Sequence, residues 1–130
     1  MSQQRRNIEL VRGAYEGFAR GDVAAVFALL TPDSVIIEAA GLPYTGTFRG
    51  VEGMQQLLGK MMEAVEAPEL HPLDFFHDDG ERVVARIRMT GRVRATGRLL
   101  DTELLELWHM RDEKVVEMRP FYFDKSAFGG

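Results

Sequence analysis

The hydrophobic period changes partway along the chain, and this change alone narrows the possible folds to a few. Up to about residue 66 the apolar residues recur at three- and four-residue steps, whereas after Pro68 they alternate with polar residues. The first spacing is typical of amphipathic helices, and the second is typical of strands that bury one face. Helices segregated before a run of strands predict an α+β fold, in which the helices cover one face of a mostly antiparallel sheet.

These patterns predict three helices and five strands. The predicted helices cover residues 4–20, 23–30 and 51–66, and the predicted strands cover about 34–40, 70–78, 82–95, 98–111 and 114–124. The segment 41–50, which contains Pro43 and three glycines, is predicted to be a loop. Short turns join the last four strands, so these strands should pair as antiparallel hairpins. The chain of 130 residues has the length of a single domain, 1–130.

Composition and charge exclude several classes of function. The chain has 20 acidic and 16 basic residues and a net charge of -4, which disfavours nucleic acid and anionic membranes as partners. It has no cysteine, which excludes disulfides and a cysteine nucleophile, and its three histidines lie far apart. We therefore expect no metal and no cofactor. The sequence shows neither a secretory signal nor an apolar run long enough to cross a bilayer, so we expect a cytoplasmic protein.

Alternation also assigns the two faces of the long strands. The face predicted to point inward carries Val83, Ala85, Ile87, Met89, Thr102, Leu104, Glu106, Trp108, Met110, Val116, Met118, Pro120 and Tyr122. Glu106 is unusual in this set, because a carboxylate on an apolar face must be paired, protonated or part of a site. On the opposite face, Leu105, Leu107, Phe121 and Phe123 form an apolar patch, which predicts the interface of a homodimer.

Two segments of the chain resemble a known protein family. Residues 14–38 read AYEGFARGDVAAVFALLTPDSVIIE, and residues 108–124 read WHMRDEKVVEMRPFYFD. Together with the order of predicted elements, they resemble the nuclear transport factor 2-like superfamily, in its SnoaL-like and ketosteroid-isomerase-like branch. The resemblance implies a cone-shaped barrel, formed by a curved, mostly antiparallel sheet that three N-terminal helices cover. It also implies an internal pocket and a homodimer.

The same resemblance implies roles for two carboxylates. Glu38 falls at the position of the isomerases' general-base aspartate, and Glu106 falls at that of their protonated oxyanion-hole aspartate. The tyrosine of the isomerases falls on Ala14, and the neighbouring Tyr15 is turned by about 100° around the helix. The third residue of the isomerase site is therefore without a match at its own position.

Each carboxylate also has a structural interpretation. Glu38 could end its strand in solvent or in a salt bridge, and Glu106 could pair with Arg88 or His109 or accept a hydrogen bond from a tyrosine. In the functional interpretation, burial raises the pKa of Glu38 and makes it a general base. Glu106 would then remain neutral and donate to a developing oxyanion.

Two functions follow from these residues. The first is a cofactor-independent isomerase, cyclase or dehydratase that acts on a small hydrophobic molecule, with Glu38 and Glu106 as catalytic residues. The residues predicted to bind the substrate are aromatic or apolar: Tyr15, Phe18, Met54, Leu58, Met61, Trp108, Met118 and Tyr122. The second is a non-catalytic dimeric module that binds a ligand or only assembles. An open cavity that both carboxylates face favours the first function, and a filled cavity with Glu106 bound to an arginine favours the second.

Overall fold

A computed structural model describes residues 2–129 and confirms the α+β class. Its helices are α1 (Gln3–Ala19), α2 (Ala24–Phe27) and α3 (Gly50–Ala64), and a 3-10 turn spans Lys125–Phe128. Its strands are β1 (Val35–Glu38), β2 (Gly46–Arg49), β3 (Val65–His77), β4 (Arg82–Val93), β5 (Leu99–Arg111) and β6 (Lys114–Tyr122). None of the helices in residues 2–129 is long and apolar enough to cross a membrane.

The six strands form one open sheet in the order β2-β1-β6-β5-β4-β3. Neighbouring strands are antiparallel except β1 and β6, which run parallel and share only two register pairs, Val35 with Glu117 and Ile36 with Met118. Helices α1 and α3 contact this sheet and contribute buried residues to its core. The parallel pair brings the end of β1 beside the hairpin that β5 and β6 form.

The inward face predicted for β4 and β5 is confirmed. Its residues are almost fully buried: Val83, Ala85, Ile87, Met89, Thr102, Leu104, Glu106, Trp108 and Met110. The arginines of β4 lie on the opposite face, where Arg88 binds Asp101 at 2.8 Å. The alternation is clear because β4 and β5 pair in continuous register from Arg82 with His109 to Arg92 with Leu99.

The boundaries in the N-terminal half differ from the prediction at three main places, of which the first is α2, which spans Ala24–Phe27 where the pattern predicts 23–30. The segment predicted to be a loop contains β2, a four-residue strand that pairs with β1 from Val35–Arg49 to Glu38–Gly46. Helix α3 ends at Ala64 and the chain continues at once as β3, whereas the pattern had extended the helix to residue 66. A bulge between Glu66 and Glu69, with Ala67 at φ 50°, interrupts the alternation there and hides the strand.

The inward face of β6 is also shifted at its start. Val115 is 2% exposed and points into the core, whereas the prediction had placed Val116 there. The cause is a register shift after His109, which leaves Val116 as an extra residue on β6. From Met118 onwards the predicted alternation holds, since Met118 and Pro120 are buried.

Two glycines of α3 lie in contrasting environments. A Cβ at Gly59 would have nothing within 4 Å, whereas a Cβ at Gly53 would lie 2.8 Å from the backbone carbonyl carbon of Phe48. We expect Gly59→Ala to raise the free energy of unfolding by about 0.5–1 kcal/mol, because glycine is a poor helix former. Gly53→Ala should lower it, because α3 must move away from β2. Urea unfolding of the two variants measures both effects, and a stabilised Gly53→Ala would contradict the close contact.

Candidate active site

An internal cavity of about 60 Å³ lies between the helices and the buried face of the sheet. Its wall is built by all three helices and by strands β1, β3, β5 and β6. The lining residues are Ala14, Tyr15, Phe18, Val26, Glu38, Met54, Leu57, Leu58, Met61, Leu70, Glu106, Trp108 and Met118. Most of these side chains are apolar, so two carboxyl groups among them define the chemical character of the cavity.

Glu38 reaches the cavity from the last position of β1. The strand forms because Val35, Ile36 and Ile37 are β-branched and pair on both sides, with β2 and with β6. Glu38 is only 7% exposed, and its Oε1 is buried without a hydrogen-bond partner among residues 2–129. Burial raises the pKa of Glu38 to about 8, and the charge of Glu106 adds to the rise. Its protonation therefore changes close to neutral pH.

Glu106 reaches the cavity from the middle of β5 and ends a short chain of hydrogen bonds. The indole Nε1–H of Trp108 donates to the Tyr15 hydroxyl at 3.0 Å, and that hydroxyl donates to Oε1 of Glu106. Burial raises the pKa of Glu106 to about 7, and the hydrogen bond from Tyr15 opposes the rise. Burial and the nearby carboxylate raise the pKa of Tyr15 well above its ordinary value.

Of the structural interpretations of Glu106, the hydrogen bond from a tyrosine is observed, whereas the two candidates for an ion pair, Arg88 and His109, have other partners. Arg88 makes two hydrogen bonds to Asp101, at 2.9 and 2.8 Å, on the opposite face of the sheet. His109 lies 3.1 Å from Glu81. Glu106 is therefore bonded to a tyrosine and to no arginine among the described residues.

The position in α1 that corresponds to the isomerase tyrosine is Ala14, and it does not supply the hydroxyl that contacts Glu106. Ala14 does line the cavity, but it is Tyr15 whose hydroxyl reaches Glu106. The tyrosine side chain is long, and the ring of Trp108 packs edge-on against it with centroids 5.9 Å apart. Tyr15 leaves the helix about 100° away from Ala14, but its long side chain, held by the packing against Trp108, still brings the hydroxyl to Glu106.

All the residues predicted to bind a substrate border the cavity except Tyr122. The Tyr122 hydroxyl lies 2.6 Å from that of Tyr44, and its ring packs against Phe128 with centroids 5.6 Å apart. This aromatic cluster holds Tyr122 away from the cavity wall. Sequence reasoning did not name four of the lining residues: Ala14, Val26, Leu57 and Leu70. Leu57 lies on the apolar stripe of α3, which was a usable signal, whereas Leu70 follows the bulge in β3 and had none.

Glu38 also borders a second hollow, of about 370 Å³, where β1 and β6 diverge. Two cations line this hollow, but each has a partner in the chain. Arg119 binds Glu117 at 3.2 Å, and the Nζ of Lys125 donates to the Ala40 carbonyl at 2.9 Å. Across the part of the chain that the structure describes, no group of three or more acidic or histidine side chains is arranged to hold a metal ion.

The chain matches one protein-family model and is similar to several solved structures. The sequence model of the SnoaL-like domain matches residues 11–118. No functionally curated protein matches the chain significantly. The fold is similar to that of TerC co-crystallised with polyporic acid, with 25% identity over 95% of both chains and a TM-score of 0.84.

Two further solved structures are similar. A nuclear transport factor 2-like protein from Burkholderia xenovorans has 29% identity over 98% of this chain and 95% of its own, with a TM-score of 0.83. A candidate SnoaL-like polyketide cyclase from Jannaschia has 22% identity over 95% of this chain and 90% of its own, with a TM-score of 0.79. At that identity the second likeness shows the fold alone.

Proposed function

The chain belongs to the SnoaL-like domain family, and from this membership and its buried carboxyls we propose that it binds a small apolar molecule and moves a proton on it. One observation carries the proposal: Glu38 and Glu106 line the same cavity, whose other walls are largely apolar. Two carboxyl groups with raised pKa values in one apolar site are the elements of an acid and a base.

Glu38 is the proposed general base. Its side chain borders the cavity, and its buried Oε1 has no hydrogen-bond partner in the described chain, so the carboxylate is free to accept a proton from a bound molecule. Burial raises the pKa of Glu38 towards the working pH, where a general base works best, and the part of the rise that comes from the charge of Glu106 is absent when Glu106 is neutral. A carbon acid next to a carbonyl is the substrate class that such a base can ionise.

Glu106 is the proposed acid that stabilises the resulting enolate. In its neutral form it can donate to the substrate oxygen, while Tyr15 and Trp108 hold its other oxygen in place. The C–H bond breaks, its proton passes to Glu38, and its electron pair is spread onto the oxygen that faces Glu106. Return of the proton to another carbon gives isomerisation, and attack by the enolate carbon on a second carbonyl gives cyclisation.

Allyl methyl ketone, with six non-hydrogen atoms, is a small probe, but it is larger than the cavity of about 60 Å³ and enters only when the methionines of the wall re-pack. The protein should convert it to its conjugated isomer, ethylideneacetone, and the ultraviolet absorbance of the product measures the rate. Acetate at the concentration of the protein's carboxylates is the control for catalysis by carboxylate in solution. A rate with protein no higher than the rate with acetate would overturn the proposed proton transfer.

The size of the cavity favours a second candidate, a non-catalytic binding module. A volume of about 60 Å³ is well below the 300–1,000 Å³ of most small-molecule sites. Three methionines in the wall, Met54, Met61 and Met118, can re-pack to admit a ligand, because their side chains are flexible. Binding of the ketone without conversion would support this candidate.

We also propose that a second copy of the chain covers the outer face of the sheet. Leu105 and Phe121 are register partners on β5 and β6 and are 45% and 52% exposed, and Phe123 is 90% exposed. A monomer rarely exposes so many large apolar side chains together. The same patch on a second copy matches it by two-fold symmetry.

The charges on this outer face support its burial. Arg86 lies between Asp74 at 3.0 Å and Glu103 at 2.8 Å, and Arg88 binds Asp101 at 2.8 Å. Since these charges are paired within one chain, a second copy can cover them without leaving an unpaired charge in the interface.

The dimer is tested by placing a charge in the patch. The wild-type protein should elute and scatter light as a dimer, and Phe121→Glu should be monomeric at micromolar concentration, because each subunit would bury an unpaired carboxylate. Met62→Glu is the matched control, since Met62 is 49% exposed but lies on α3. A monomeric wild-type protein, or a dimer that survives Phe121→Glu, would contradict the proposed interface.

A further inference from the structure

Among the fully buried polar side-chain atoms of the described residues, one at the cavity wall has no hydrogen-bond partner. The indole N–H of Trp108 is used by Tyr15, and the hydroxyl of Tyr15 is used by Glu106. Oε1 of Glu38 has no partner among residues 2–129, although buried polar atoms are paired in the great majority of cases. When Glu38 is ionised, a molecule that enters the cavity must therefore bring a donor of its own.

The charges around the cavity are of one sign. Glu38 and Glu106 both line it, and no lysine, arginine or histidine is among the lining residues that the structure describes. Arg119 and Lys125 approach Glu38 only from the outer hollow, where each is bonded within the chain. A cation inside the cavity would stabilise the ionised forms of both carboxyls, since their mutual repulsion and burial disfavour those forms.

The aromatic rings and the shape of the cavity wall restrict which cations the cavity can bind. Trp108 and Phe18 border the cavity, and aromatic rings attract a cation placed over their faces. Three lining residues, Phe18, Leu58 and Leu70, are only half-buried and form the side nearest to solvent. The volume of about 60 Å³ equals that of about two water molecules, so it admits a head group and the first carbons of a linear chain.

We propose that this cavity binds primary alkylammonium ions, with the ammonium group at Glu38 and Glu106 and the alkyl chain directed between Phe18, Leu58 and Leu70. The inference rests on the proposed function only in requiring that the cavity admit a small molecule. The amine then competes with the neutral substrate. The proton balance is as follows: an alkylammonium ion binds, the protonated carboxyls of Glu38 and Glu106 ionise, and their protons pass to the buffer.

Calorimetry with hexylamine, hexanol and hexanoate tests the inference at pH 7. Hexylamine should bind at least tenfold more tightly than hexanol, and hexanoate should not bind. Titrations in phosphate and in MOPS, which differ in ionisation enthalpy, should show release of about one to one and a half protons per amine, because Glu38 and Glu106, with pKa values of about 8 and about 7, still hold protons at pH 7. This count is measured on the wild-type protein, so it does not depend on the folding of any variant.

Glu38→Gln should weaken hexylamine at least tenfold and leave hexanol unchanged, whereas Glu81→Gln, on the surface, should change neither. Equal binding of hexylamine and hexanol, binding without proton release, or preference for hexanoate would overturn the inference. Preference for hexanoate would point instead to the hollow lined by Arg119 and Lys125.

Failure of hexylamine to bind a protein that converts allyl methyl ketone would overturn the inference alone. Binding of hexylamine by a protein that does not convert the ketone would overturn the proposed proton transfer alone.

Discussion

Glu38→Gln should lower the rate of allyl methyl ketone conversion by about 10²- to 10⁴-fold, the contribution typical of a general base. Glutamine has nearly the same shape as glutamate, but its amide cannot accept a proton from carbon near neutral pH. The unpartnered position of Oε1 means that the substitution breaks no hydrogen bond within the described chain. The loss should therefore be in turnover, with the fold retained.

The measurement is the initial rate of product absorbance for the wild type and for the variant, with circular dichroism to verify folding. Glu81→Gln is the matched control, because Glu81 is a surface carboxylate that binds Arg111 and His109. Equal rates for Glu38→Gln and the wild type would show that Glu38 is not the base. Glu106→Gln should have a smaller effect, because its amide can still donate to an oxyanion.

The free energy of unfolding should fall by several kcal/mol as the pH rises from about 5 to about 9. Glu38 and Glu106 have pKa values of about 8 and about 7 in the folded protein, raised from 4.5 mainly by burial. The folded state therefore holds protons that the unfolded state has lost between these values, and stability falls as pH rises. Each unit of difference in pKa corresponds to about 1.4 kcal/mol, and the loss is complete only above about pH 9, where Glu38 is ionised in the folded state as well.

Urea unfolding at a series of pH values measures this slope. Glu38→Gln should flatten the curve in part, and the double variant with Glu106→Gln should flatten it almost completely and be more stable than the wild type at pH 9. The carboxylates whose pKa is lowered by surface ion pairs, such as Asp78 and Asp101, affect stability only at lower pH. An unchanged slope in the double variant would show that the two carboxyls are not buried as described.

The strands β4 and β5 show how much of the fold can be predicted from sequence. Their alternation is uninterrupted because the two strands pair without a bulge, so one face is consistently apolar. That regularity identified the buried face and made Glu106 visible as an exception to it. The helices were equally visible, since their apolar stripes face the same core.

The parts of the sheet that could not be predicted are those where the alternation of apolar and polar residues is interrupted. Strand β2 has only four residues, and glycine stands at its first position and just after its last, at Gly46 and Gly50. The bulges near Ala67 and Val116 each add one residue to a strand and interrupt the expected alternation of faces there. These features depend on pairing between strands, which a local pattern does not contain.

The site shows the same division. Glu38 and Glu106 could be named because each interrupts an apolar strand, and most of the wall could be named because it lies on helical stripes. The hydrogen bonds from Trp108 through Tyr15 to Glu106 could not be traced from the sequence, because they depend on how far these side chains reach across the core. Tyr122 was misplaced for a similar reason, since its partner Tyr44 lies in a loop.

The short parallel contact between β1 and β6 has a consequence for the order in which the site assembles. Ile36 pairs with Met118, so this contact closes a longer loop than any other strand pair and carries the largest entropic cost. The hairpins from β3 to β6 need only near neighbours, and they carry Glu106 and Trp108. Glu38 joins them only when the long loop closes. The two carboxyls therefore come together only in the completely folded chain, and detachment of β1 and β2 would remove Glu38, the proposed base, while the rest of the sheet remained intact.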